Sequence, residues 1–163
     1  MNNMLQKEKN RMDDITKNIF VSHYHDDSEG IPDLIDLVKR NGLDMRDSSI
    51  YEAKEKNNAH NEDYIKSLIR PHISWAGTVV VLVGKKTKDS DWVNWEIETA
   101  AEKGKRIVGV YLNGCRECPI PEALKKHGDA LVGWSSDLII DAINGEDIWI
   151  GPPRTWNTGH STC

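Results

Sequence analysis

Short apolar runs alternate along this chain with stretches whose apolar residues recur every three or four positions. NIFVSH (18–23) is a compact apolar run between polar flanks, the reading of a strand buried on both faces. IPDLIDLVKRNG follows, with Ile31, Leu34, Ile35 and Val38 at helical spacing and Gly42 as the stop signal. LDMRDSS (43–49) reads as a short second strand entering a long polar loop, SSIYEAKEKNNAHNE. Loops of that length in compact domains tend to be functional or mobile. DYIKSLIRPHISWA sets Ile65, Leu68, Ile69 and Ile73 on one helical face, and Pro71 is expected to kink or break it.

TVVVLVG (78–84) is the strongest strand in the chain, and SDWVNWEIETA (90–100) supplies the helix after it, ended by Gly104. RIVGVYL (106–112) is another buried strand. NGCRECPIPEALKKHG is a loop with a short helix, DALVGW (129–134) a last strand, and SSDLIIDAING a last helix with a Ser cap. The polar lead-in, residues 1–17, precedes the single expected domain, 18–145. The Pro/Gly-rich tail, 146–163, is expected to lie over the surface.

Strands that alternate with helices and read as continuous apolar runs imply a parallel sheet covered on both sides. The expected fold is α/β: a flavodoxin-like doubly wound domain with a five-stranded, mainly parallel sheet and helices on both faces. In such sheets ligands bind beyond the carboxyl ends of the strands, where strand order reverses. For the order 2-1-3-4-5 that crevice lies between strands one and three. Ser22, His23, Tyr24 and His25 leave strand one, followed by Asp26 and Asp27; Gly84, Lys85, Lys86 and Thr87 leave strand three.

Composition narrows the function classes. A chain of 163 residues with 29% charged and 38% hydrophobic positions is an ordinary globular composition, and a net charge of -5 argues against a non-specific nucleic-acid or membrane binder. The start has no apolar core of a signal peptide, and no run is long enough to span a membrane, so the expected compartment is the cytoplasm. Cys115 and Cys118 form a CREC pair, and with only His127 nearby as a further ligand they read as two reduced thiols in a loop rather than a zinc site. No glycine-rich phosphate loop is present.

The stretch SDWVNWEIETA holds two tryptophans and two glutamates. At about 100° per residue, Val93, Ile97, Ala100, Ala101 and Gly104 form a narrow core stripe. Glu98 points nearly opposite, into solvent. Glu96 falls beside the stripe, at the rim of the crevice, with Trp92 one turn earlier as a wall. Geometry alone leaves two roles open for Glu96: stabilising the helix dipole, or acting in a site.

Several of these segments are familiar together. NIFVSHYHDD, the polar loop after RDSS, VVVLVGKKTKDSDWVNWEI and RIVGVYL resemble the bacterial TIR-like domain family, most nearly the TIR-like (ThsB-type) subunit of Thoeris antiphage defence systems, from about Asn18 to Ile143. The most specific part is S-x-W-x-x-x-E, here Ser90, Trp92 and Glu96. The resemblance implies an NAD+ nucleosidase or cyclase that releases nicotinamide and makes an ADP-ribose-derived, cyclic signalling nucleotide activating a separate effector protein. It assigns Glu96 as catalytic. By position it implicates Ser22, His23, Tyr24, Asp47, Ser49, Gly84 and Trp92 in binding the substrate, NAD+, with no cofactor and no metal. Self-assembly or a phage-protein trigger is compatible with it; nucleic acid and membrane are not implied as partners. One departure is Val93, which stands where TIR domains often carry Cys.

Two other readings stay open at this stage. One is a TIR-like adaptor or scaffold that catalyses nothing; the other is nucleoside base transfer on the same fold. His23 and His25 would point the same way in an extended chain, but no third metal ligand is evident. Asp26 and Asp27 match the acidic pair of response-regulator receivers, yet Val83 and Gly84 stand where a receiver needs an aspartate. The Lys85, Lys86, Lys88 run reads as a solvated loop that could steer a pyrophosphate.

Overall fold

The fold is that of a computed structural model, which describes residues 16–47 and 61–155. Five strands form one parallel sheet in the order β2-β1-β3-β4-β5: β1 (Thr16–Ser22), β2 (Asp44–Asp47), β3 (Thr78–Val83), β4 (Arg106–Tyr111) and β5 (Ala130–Val132). Helices α1 (Gly30–Lys39) and α5 (Ser136–Ile143) cover one face. Helices α2 (Glu62–Trp75), α3 (Asp91–Glu102) and α4 (Glu122–His127) cover the other. This is the doubly wound α/β arrangement that the apolar runs predict.

The two-residue period of a strand divides the core. Phe20, Val79, Val81, Val83 and Ile107 face α2, α3 and α4. Ile19, Val21, Val80, Leu82 and Val108 face α1 and α5. Every residue of β3 is buried, because this central strand has a helical layer on each side. Each such aliphatic side chain contributes roughly 1.5–3 kcal/mol on burial. Gly109 opens one place in the layer. A Cβ there would stand 2.8 Å from both Leu124 and Leu131, so its absence lets α4 close on the sheet.

Of the kink and the break expected at Pro71, the break does not occur: helix α2 runs through it from Glu62 to Trp75. Both Pro71 and Ser67, the residue whose carbonyl loses its usual donor, are exposed, so water can satisfy the freed group. Leu131 donates its N–H to Ile148 O at 2.7 Å and accepts from Ile150 N at 2.9 Å, so residues around Trp149 pair with the open edge of β5. Cys115 and Cys118 are joined as a disulfide instead of standing as reduced thiols. The turn in which Cys118 N–H donates to Cys115 O brings their Cα atoms to 5.2 Å, within bridging range. Ser135 holds the cap position of α5, but its hydroxyl makes no capping bond.

Among the described residues no helix is long and apolar enough to cross a membrane.

Candidate active site

The phase of α3 decides where its acids point. Ser90 is the N-cap, and its hydroxyl accepts the Val93 N–H at 3.2 Å. Asn94 reinforces that start. Its amide donates to Ser90 O at 3.0 Å and Lys88 O at 3.3 Å, while its oxygen accepts from Ala123 N at 3.1 Å. With the helix so anchored, Val93, Glu96, Ile97 and Ala100 are wholly buried, at the i, i+3, i+4, i+7 positions of a core face, and Thr99 is nearly so. Glu98 is exposed, as expected. Glu96 is not at a rim: it has 0% exposure, while Ala101 is half-buried and Gly104 exposed. The buried arc is turned toward Glu96 relative to the stripe read from the sequence.

What receives this carboxyl is Ser22. On β1, Ser22 has the parity of Phe20 and so faces α3. Its hydroxyl donates to Glu96 Oε1 at 2.7 Å, across 74 positions of sequence. Ser22 is itself wholly buried and pairs in register with Val81 of β3. A carboxyl is therefore held under the carboxyl end of β1, beside β3. Burying an ion costs several kcal/mol, and an apolar residue of similar volume often serves stability as well or better. Packing alone gives no reason for an acid here.

The remaining expected residues are not gathered in one place. His23 is buried, and its Nδ1 lies 3.1 Å from Val21 O. Tyr24 is half-buried, with its ring centroid 4.2 Å from that of His25. His25 starts a 3-10 turn (His25–Asp27) and is exposed, so the two histidines diverge. Among the described residues no three His, Cys, Asp or Glu side chains gather as metal ligands.

Gly84 is buried at the end of β3, its N–H donating to Thr87 Oγ1 at 2.8 Å. Together with Tyr24, Gly84 lines a cavity of about 420 Å³ at the carboxyl ends of β1, β3 and β4. Trp92 is half-buried and meets Trp95 edge-on at 6.0 Å, packed against the core; it is not among the residues lining that cavity. Asp47 ends β2 and pairs with Ile19, three positions before Ser22, or about 10 Å back along the strand. Ser49 lies outside the described residues.

The sequence pattern passes over one residue. Asp27, matched along the chain only to a receiver's acidic pair, lines the same cavity and is packed against Gly84. Burial, then the neighbouring Asp26, raises its pKa above the ordinary carboxylate value; His23, the Thr87 hydroxyl and His25 act the other way.

Residues 20–117 match the family described as Thoeris protein ThsB, TIR-like domain. The chain belongs to that family. A curated relative is named "Putative cyclic ADP-D-ribose synthase ThsB1", from Bacillus cereus (strain MSX-D12). It is 30% identical over 71 residues, which cover 44% of this chain and 35% of the relative's length. The match thus spans about a third of that protein. Among solved structures, the TIR domains of the activated Roq1 resistosome align over 58% of this chain and 57% of theirs, at 16% identity and a TM-score of 0.40. The Clostridium botulinum CMP N-glycosidase BcmB aligns over 78% of this chain and 98% of its own, at 16% identity and a TM-score of 0.47. Likenesses this distant have no bearing on the chemistry of the site.

Proposed function

We propose that this ThsB-family chain cleaves NAD+ between nicotinamide and ribose, with Glu96 as the catalytic carboxylate, and converts the ADP-ribose part into a cyclic signalling nucleotide. The observation that carries the proposal is the wholly buried Glu96 carboxyl held by Ser22 at 2.7 Å under the carboxyl end of β1. Family membership and the synthase name borne by the Bacillus cereus relative support it.

Cleavage passes through an oxocarbenium-like state, with positive charge growing on the ribose. A fixed carboxylate facing that sugar stabilises the charge as it develops, most strongly where water is excluded. Ser22 holds one oxygen and so limits the orientations of the other. Nicotinamide departs as a neutral molecule, so no general acid is needed. Water attacking the cation gives ADP-ribose; a hydroxyl or ring nitrogen of the same molecule gives a cyclic product. His23, Tyr24 and Gly84 follow directly on the ends of β1 and β3 and are the proposed substrate contacts, with Trp92, Asp47 and Ser49 assigned by resemblance alone. In this reading the reaction is cytoplasmic, and a separate effector protein is reached through the diffusible product.

The test is to incubate purified protein with NAD+, activated by high concentration or phage lysate, and to follow nicotinamide and product masses. Release by the natural chain and loss in Glu96→Gln support the proposal. Equal release by both proteins sinks the assignment of Glu96. Release from a nucleoside but not from NAD+ favours base transfer, and no release from either favours an adaptor.

A further inference from the structure

The Cys115–Cys118 bridge has no part in the proposed cleavage, yet it stands in the wall of the cleft. Asn113, Gly114 and Cys115 line the 420 Å³ cavity together with Tyr24 and Gly84. The next residues along the same loop, Arg116, Glu117 and Cys118, line a second cavity of about 410 Å³ beside Ile150 of the tail. One disulfide thus joins a residue from the lining of each.

This bridge does little to hold the fold. Its cysteines are three positions apart, and the shorter the closed loop, the less a crosslink restricts the unfolded chain. The segment is also pinned at both ends without it. Leu112 donates its N–H to Val83 O at 3.0 Å, and Ile120 is buried in the core. Between these anchors, Cys115 N–H donates to Leu112 O at 2.8 Å and Cys118 N–H to Cys115 O at 3.0 Å, while Arg116 Nη1 donates to Ile150 O at 2.9 Å. These bonds keep two free thiols within reach of each other, so a reduced bridge can close again.

The two cysteines are unequally open to solvent. Cys115 has 8% exposure, whereas Cys118 is half-buried. An incoming thiolate therefore meets Cys118 first, and access is one of the factors that set exchange rates. In the cytoplasmic setting proposed above, thiols are kept reduced, and the disulfides that do form there are usually transient, catalytic or redox-sensing.

We propose that Cys115 and Cys118 form a reversible redox switch, opened by a dithiol reductant, that sets the affinity of the cleft for NAD+. The reductant's thiolate attacks Cys118 Sγ, and the electron pair of the S–S bond leaves on Cys115, which takes up a proton. The reductant's second thiolate then displaces Cys118, which is protonated in turn. Two electrons and two protons pass to the protein, and the dithiol ends as a disulfide; a disulfide oxidant reverses the exchange. With the bridge closed, Asn113, Gly114 and Cys115 are held in one arrangement. With it open, this stretch gains conformations that a ligand must order again, and a wall fixed in advance binds more tightly. The oxidised protein is the tight-binding form. The effect on affinity rests on NAD+ as the ligand of the cleft; the thiol exchange does not.

The test uses the full chain carrying Glu96→Gln and Cys163→Ser, equilibrated at a series of ratios of reduced to oxidised dithiothreitol. Alkylation followed by mass spectrometry counts the free thiols, and calorimetry measures NAD+ binding at each end of the series. The expected result is full, reversible passage between bridge and dithiol with an unchanged far-ultraviolet circular dichroism spectrum. NAD+ should bind about threefold to tenfold more tightly to the oxidised protein. Adding Cys115→Ser and Cys118→Ser should give the weaker affinity at every ratio. A bridge that never forms, or that opens only as the protein unfolds, overturns the proposal. So do equal NAD+ affinities in the two states, NAD+ that binds in neither, or a redox effect that survives in the double serine variant. If affinity switches as described while the protein with Glu96 restored never cleaves NAD+, the switch stands and the catalytic reading falls. Cleavage by that protein alongside equal affinities means the reverse.

Discussion

Replacing Glu96 by Gln should make the protein more stable while removing its activity. The side chain has 0% exposure, and Ser22 Oγ donates to it at 2.7 Å. Moving a carboxylate out of water costs several kcal/mol in a real protein. A hydrogen bond to a charged acceptor returns about 1.5–3 kcal/mol, against about 0.5–1.5 for a neutral one. Gln keeps the volume and an acceptor for Ser22, sheds the charge, and gives up about 1 kcal/mol of hydrogen bonding. The net expectation is a gain of about 1–2 kcal/mol, or roughly 2–8 °C in Tm for a domain of this size. Nicotinamide release should fall by about 10²-fold or more, the order seen when one pre-aligned charge-stabilising group is lost. The assays are thermal and urea unfolding at neutral pH beside mass spectrometry of the NAD+ reaction. A lower Tm together with retained turnover would mean that this carboxyl holds the fold and does no chemistry.

Other perturbations probe neighbouring contacts. Ser22→Ala removes the donor while leaving the acid in place, so unfolding should be easier by about 1.5–3 kcal/mol and turnover should drop without vanishing; urea midpoints and initial rates measure both. Gly84→Ala forces a Cβ into the Asp27 carboxyl and should destabilise by about 1–3 kcal/mol, a loss largely recovered in the Gly84→Ala, Asp27→Ala double variant. If the effects of the two substitutions simply add, Asp27 is not packed against Gly84. Asp27 has a pKa raised in the folded state, so its proton-bound form is favoured by folding. That contribution is complete below the unfolded carboxylate pKa of 3.8 and is lost as pH climbs through the raised folded value. Asp27→Asn should therefore raise Tm at neutral pH, and the advantage should shrink on acidification toward that range; a pH-independent difference contradicts the assignment.

Much of the architecture could be read along the chain because strand and helix periods are local properties. TVVVLVG can be buried on both faces only in the middle of a covered parallel sheet, and the spacing of Ile65, Ile69 and Ile73 is that of a helix facing inward. The Gly104 stop and the S-x-W-x-x-x-E motif were equally visible, and they led to the helix whose buried acid meets Ser22. The sequence could not say how deeply Glu96 sits. A shift of a few tens of degrees in helix phase turns a rim residue into a core one, and that phase depends on Asn94 reaching Lys88, Ser90 and Ala123. The partner of Glu96 was hidden for a related reason: Ser22 lies 74 positions away, and only sheet register and helix packing bring the two within a hydrogen bond. The surroundings of Asp27 were hidden in the same way: along the chain it is one half of an acidic pair, whereas in the fold it meets Gly84 and Thr87, contributed by a different strand and turn. Periodicity determined which residues form strands and helices and which faces they bury. The tertiary structure decided which polar groups share a desolvated space, since contact between residues distant in sequence leaves no periodic trace in the chain.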